Sequence, residues 1–211
     1  MVQSEETSLV ELLLNELQQA ADTAERLLQQ RPQQERARIA CGPGCGSCCV
    51  VNVSTLLPEG VAISRYLQTF SEKTQQQLDE RLETLWQRVR GLDDAERLAV
   101  QSQCAFLDEQ GSCMVYPVRP LLCRSITSTD VNSCREALSV AAFDEQKPVL
   151  MYQYQQQLYE SLFIELAEKL EGRDLDGRSF QLSGLVRFLR KNPTAEAELL
   201  AGRRLDWQSL Y

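Results

Sequence analysis

Four cysteines fall within nine residues of this chain, Cys41, Cys45, Cys48 and Cys49, in the run CGPGCGSCC. The residues between them are glycine, proline and serine, which favour turns over helix or strand. A second segment, residues 104–134, carries the other four: Cys104, Cys113, Cys123 and Cys134. Any fold for this chain must therefore carry two sulfur-rich stretches that are poor candidates for long regular elements. The chain has no histidine, so a site for a soft metal has to be built from thiolates.

The small residues have a mechanical use in such a site. Glycine allows the backbone positive φ and close approach. It also leaves N–H groups free to point at sulfur, and such hydrogen bonds spread the negative charge of metal thiolates. A purely structural loop has no need of four sulfurs. At 211 residues the chain can bury roughly 70% of its unfolded surface, so it does not depend on metal or disulfides merely to have a core.

Charge and targeting signals narrow the field. There are 30 acidic and 22 basic residues, a net charge of -8. That speaks against a general nucleic-acid binder, which needs a basic face, and against docking on an anionic membrane. No apolar run approaches the ~18 residues of a membrane span. The start, MVQSEETSLVELLLNELQQ, lacks the basic and apolar regions of a signal peptide. The expected location is the cytoplasm, where thiols stay reduced and clustered cysteines bind metal or do redox work. The expected partner is a metal ion or cluster.

Around the cysteines the pattern is helical. Leu9, Leu13, Leu17, Ala20, Ala24, Leu27 and Leu28 recur at helical spacing and predict a helix over residues 5–31, ended by Pro32. After the first cysteine loop, VVNVSTLL reads as a short extended stretch, followed by a helix opening at Pro58. Ser71 can cap a third helix that carries Leu78, Leu82, Leu85 and Val89, with Gly91 at its end. Asp93 can cap a short one, DAERLAV. CAFLD and CMVY, around EQGS, predict a small hairpin. Met151 to Leu170 and Leu182 to Leu189 form two further apolar stripes. The expectation is a mostly α, single helical domain over residues 1–211 with a cysteine-rich loop and short hairpin as a metal-binding insert. Residues 1–40 would form the first helix, 41–134 the cysteine region and 135–211 the last helices.

Metal identity is open at this level. Structural zinc takes four tetrahedral ligands, and a 4Fe–4S cluster also takes four thiolates. Eight cysteines suit two such centres, or one with spares. Zinc ribbons use two C-x2-C pairs and this chain has one, Cys45 to Cys48, whereas compact cysteine runs lean towards iron–sulfur. Adjacent residues rarely reach one small ion without strain, so Cys48 and Cys49 are expected to point to different places. Two other chemistries compete. Cys45-Gly-Ser-Cys48 is formally a thiol redox pair, though the βαβ context is missing. Cys41, Cys45 and Cys48 match the C-x3-C-x2-C of radical S-adenosylmethionine enzymes. Ser47 stands where those enzymes usually carry an aromatic residue, and no βα repeat is visible.

The ordered set CGPGCGSCC, CAFLDEQGSC, VYPVRPLLCR and a final Cys134 resembles the cysteine-cluster proteins of the YkgJ type, described as a zinc- or iron-chelating domain with a CxxCxxCC signature. The likeness spans about residues 41–134. One departure is visible: three residues separate Cys41 from Cys45 where the signature has two. The resemblance implies metal binding with Cys41, Cys45, Cys48, Cys49, Cys104, Cys113, Cys123 and Cys134 as ligands. Some proteins with related clusters are linked to methyl transfer, so a metal-dependent enzyme is an alternative; no catalytic residue carries over. Arg119 and Arg124 flank Cys123 and are read as cations beside a thiolate-rich cofactor. Asp108 and Glu109 are expected as solvated charges of a turn, and Glu59 as a carboxylate at a helix start.

Overall fold

The computed structural model describes residues 2–141 and 147–201; the part of the expected carboxy-terminal region at 202–211 lies outside them. About 60% of the described residues are helical, and the mostly α expectation holds. The first helix, α1 (Val2–Gln29), stops just before Pro32, whose missing N–H and ring prevent continuation. A single turn, α2 (Gln33–Arg36), follows. Arg31 pairs with Glu35 at 2.9 Å and stacks 4.5 Å from the Tyr154 ring centroid. The Tyr152 hydroxyl donates to Glu35 at 3.0 Å. These contacts fix where the chain leaves α1.

Past the cysteine loop, β1 (Ser54–Thr55) pairs antiparallel with β2 (Phe180–Gln181). The extended stretch expected there is thus a two-residue strand whose partner lies far along the chain. α3 (Leu57–Leu67) begins with Pro58 in its first turn and is buried over most of its length. α4 (Glu72–Val89) is capped by Ser71, which accepts from the Thr74 amide at 3.3 Å. α5 (Asp94–Val100) is capped by Asp93, and Glu96 reaches back to the Asp93 amide at 2.9 Å, a reciprocal capping box.

The second cysteine segment is more compact than a hairpin. Its strand character shrinks to one antiparallel bridge, Leu107 with Cys113, reinforced by the Met114 amide donating to the Phe106 carbonyl at 2.8 Å. A 3-10 turn (Tyr116–Val118) leads into α6 (Leu121–Ser125), which carries Cys123, and then α7 (Val131–Ala141), which carries Cys134. α8 (Gln153–Glu171), α9 (Leu182–Lys191) and α10 (Ala195–Leu200) complete the described elements.

Helices α3 and α9 form the central wall. On one side Leu57, Val61, Leu185 and Leu189 join Leu13 of α1 and Leu166 and Leu170 of α8 in one apolar core. On the other side Ile63, Leu67, Leu182 and Val186 meet Leu78, Leu82 and Val89 of α4 in a second. The wall is tight: a Cβ on Gly60 would lie 2.6 Å from Leu185 Cδ2, so only glycine lets the two helices approach this closely. Arg190–Asp79 at 2.7 Å and Arg187–Glu83 at 2.6 Å tie α9 to α4 at the surface. Cys104, Cys113 and Cys123 pack on the edge of the second core, so the cysteine-bearing stretch is an extension of the core and not a detached appendage.

Candidate metal site

The first cysteine loop is two consecutive turns. The Cys45 amide donates to the Gly42 carbonyl at 3.0 Å, and the Cys49 amide donates to the Gly46 carbonyl at 3.0 Å. Pro43 and Gly44 occupy the centre of the first turn, with Gly44 at φ +79°. That residue pair suits a type II turn, which needs positive φ at its third position. The turn absorbs the one residue by which Cys41–Cys45 exceeds the CxxC spacing.

The opposing turn is built by Asp108. Its Oδ1 accepts from the Gln110 amide at 2.9 Å and the Ser112 amide at 2.7 Å. Asp108 is therefore the organiser of that turn, a larger role than the solvated charge expected from sequence. Gly111, at φ +75°, brings its backbone against Gly44: a Cβ there would lie 3.0 Å from the Gly44 carbonyl oxygen. The Cys104 amide donates to the Cys49 carbonyl at 2.7 Å. The two sulfur-rich stretches are thus interlocked through backbone.

Between them lies a cavity of about 610 Å³. Every cysteine except Cys134 lines it. Cys41 is exposed at its mouth, and the other cysteines are half-buried. The sulfurs fall into two electrostatic neighbourhoods. Cys41 feels Cys45, Cys48 and Cys134. Cys49 feels Cys104 and Cys123, and Cys104 and Cys123 both feel Cys113. The Cys48 and Cys49 thiols contact each other across the boundary. The expectation that the two adjacent side chains point to different places is thus corrected: their thiols meet in a hydrogen bond. Among the described residues, no three Cys, Asp or Glu side chains are drawn together tightly enough to grip a single ion.

Backbone amides already point at several sulfurs. The Ser128 amide donates to Cys41 Sγ at 3.3 Å; the Phe106 amide serves Cys104 and the Val115 amide serves Cys113. Such donors stabilise thiolate over thiol. In the metal-free chain burial works the other way. It pushes Cys104 up to about 11, Cys123 well above its ordinary value, and Cys41 and Cys113 upward. Cys48 is the exception. The Cys49 thiol donating to it, helped by the nearby Arg119 charge, holds it down at about 6, and Cys49 is raised in consequence. Thiols crowded in a buried place stay protonated unless a cation takes their charge, so the donor set fits a metal centre.

The two arginines flanking Cys123 part company. Arg119 lines the cavity, stacks 4.8 Å from the Tyr116 ring centroid, and keeps a buried Nε without a hydrogen-bond partner. Arg124 points away from it. Its guanidinium donates to the Arg119 carbonyl at 2.8 Å and the Pro117 carbonyl at 2.9 Å, and pairs with Glu25 of α1 at 3.3 Å. It clamps the Cys123 turn against α1. Glu59 does more than open its own helix. It is 1% exposed and accepts from the Leu56 amide at 2.8 Å and the Leu121 amide at 2.6 Å, so one carboxyl caps both α3 and the cysteine-bearing α6. Sequence reasoning missed Arg97 and Ser128 altogether; in sequence each looks like an ordinary polar residue. The Ser128 carbonyl holds the Ala40 amide at 2.8 Å, next to Cys41.

Residues 40–148 match the family model CxxCxxCC, whose description is "Putative zinc- or iron-chelating domain". The chain belongs to this family. The match begins one residue before Cys41 and takes in all eight cysteines, so metal binding is the property that membership brings. Comparison with curated proteins and with solved structures gave no match. No helix among the described residues is long and apolar enough to cross a membrane.

Proposed function

We propose that this CxxCxxCC protein holds an iron–sulfur centre of the 4Fe–4S type through its cysteine thiolates and serves as an electron-transfer module. One observation carries the reading: seven thiols from two distant segments border one cavity of about 610 Å³. Spread sulfurs around a roomy cavity suit a multi-iron core better than one small ion, which draws its ligands to about 2.3 Å. The neighbourhoods above support assigning Cys41, Cys45, Cys48 and Cys134 to one centre and Cys49, Cys104, Cys113 and Cys123 to a second. Each group has the four sulfurs that one centre requires.

A bound iron–sulfur cluster would supply one-electron transfer at a half-buried position. The chain's own residues do the rest. The Ser128, Phe106 and Val115 amides donate to ligand sulfurs. Leu82, Leu85 and Phe106 limit water in the cavity, and Arg119 places a positive charge beside the thiolates.

The test is elemental analysis with a visible spectrum on protein purified without air. The expected result is iron and acid-labile sulfide, with a brown absorbance that bleaches on reduction. A colourless protein with stoichiometric zinc would replace this reading with a structural site. A metal-free folded protein whose thiols cycle with reductant would replace it with thiol redox chemistry.

A further inference from the structure

Arg97 sits on α5, is 2% exposed, and lines the thiol cavity. Its Nε and Nη1 are buried and have no hydrogen-bond partner. Among the described residues no carboxylate pairs with it. Among the described residues the titratable neighbour that acts on it is the Cys104 thiol, which burial keeps protonated. A buried, unpaired guanidinium is costly, and removing the partner of a buried charge typically costs several kcal/mol. An arginine kept in this position without a carboxylate has to find its anion in the cavity it faces.

The anion that the proposed function supplies has the right charge. Four thiolates around zinc(II), or around an oxidised 4Fe–4S core, sum to a double negative charge. Two guanidinium groups, Arg97 and Arg119, reach the same cavity with unpartnered N–H groups. Arg119 acts on Cys48, Cys113 and Cys123, and Arg97 acts on Cys104. We propose that Arg97 is the internal counter-cation of the Cys49–Cys104–Cys113–Cys123 centre, donating Nε–H and Nη1–H to its sulfurs and favouring a loaded over an empty site. The inference rests on the metal-binding reading above. It makes Arg97 a positioning and charge-balancing residue; it is not a ligand.

The consequence is a reversal of sign between the two states of the protein. In the empty chain Arg97 is an uncompensated buried charge, so replacing it with an uncharged side chain of similar length relieves strain. In the loaded chain the same replacement strips the centre of its counter-charge. The experiment compares wild type, Arg97→Met and Arg97→Lys. Each is measured for metal retained against a graded chelator, for the reduction midpoint of the loaded protein, and for the urea midpoint of the chelator-stripped protein. Expected are a weakening of metal retention by about tenfold or more in Arg97→Met, the range found for outer-shell partners of metal ligands, a more negative reduction midpoint, and a higher urea midpoint of the stripped protein. Arg97→Lys, which keeps the charge, recovers part of the retention. Equal retention and equal midpoints in Arg97→Met and wild type would overturn the inference while leaving metal binding intact. So would a stripped Arg97→Met that is less stable than wild type or fails to fold, because Arg97 would then be a plain structural residue. A wild type that takes up no metal would overturn both readings at once.

Discussion

The interlock of the two cysteine stretches can be tested at Gly111. Replacing it with alanine has two separable costs. At φ +75° an L-residue pays about 1–2 kcal/mol for the left-handed conformation. The new Cβ would also lie 3.0 Å from the Gly44 carbonyl oxygen, a backbone atom that cannot rotate away. Overpacking of this kind adds about 1–3 kcal/mol. The expected total is about 2–5 kcal/mol, with metal uptake impaired because the strain pushes the two loops apart. Two controls isolate the terms. Gly91 has the same φ of +75° and nothing within 4 Å, so Gly91→Ala reads the conformational cost alone. Gly42 lies between the cysteines of the first loop, has no positive φ and meets nothing within 4 Å. Gly42→Ala should be neutral or stabilise by up to about 1 kcal/mol, through the unfolded chain. Urea unfolding of the three variants at constant m-value gives the order directly. If Gly111→Ala proves no worse than Gly91→Ala, the contact between the loops is not there and the argument for convergence fails.

Further expectations follow from the wall and from Glu59. Alanine at Gly60 would ordinarily help a helix by about 1 kcal/mol, but here its Cβ would meet Leu185 Cδ2 at 2.6 Å and Cγ at 2.7 Å. Gly60→Ala should therefore lower stability by roughly 1–3 kcal/mol in thermal unfolding, and a gain would show that α3 and α9 do not touch. Burial pushes the Glu59 carboxyl from 4.5 up to about 7, against the two amides that favour its charge. A carboxyl with a raised folded value contributes stability that is complete below pH 4.5 and lost as pH rises through about 7. The span corresponds to about 3 kcal/mol at most. Chelator-stripped protein should thus be harder to unfold with urea at about pH 5 than at about pH 7.5, and Glu59→Gln should flatten the difference. An unchanged pH dependence in the variant would place the titration elsewhere.

The helices were legible because their signals are local. Ser71 and Asp93 cap where their side chains predict, Pro32 stops α1, and the leucines of α1, α4 and α8 face the cores their spacing suggests. The cysteine region was legible as chemistry but not as shape. The hairpin shrank to one bridge because Asp108 and Gly111 spend the 108–112 backbone on a turn that packs against Gly44 and not on a ladder. Arg97 was invisible because nothing in DAERLAV marks which face turns inward; only the cavity does. Glu59 looked like a local cap because its second helix, α6, begins at Leu121 and reaches it only through the fold. Arg119 and Arg124 are alike in sequence, and tertiary contact with Glu25 separates them.

The most direct measurement is cysteine-by-cysteine alkylation of the metal-loaded protein, read by mass spectrometry, as chelator is added. Expected is that Cys49 is protected together with Cys104, Cys113 and Cys123, that Cys41, Cys45 and Cys48 are protected together with Cys134, and that within each group the sulfurs of both stretches become reactive over the same chelator range. Protection confined to one stretch, with the other freely alkylated throughout, would mean that the two do not share a metal site.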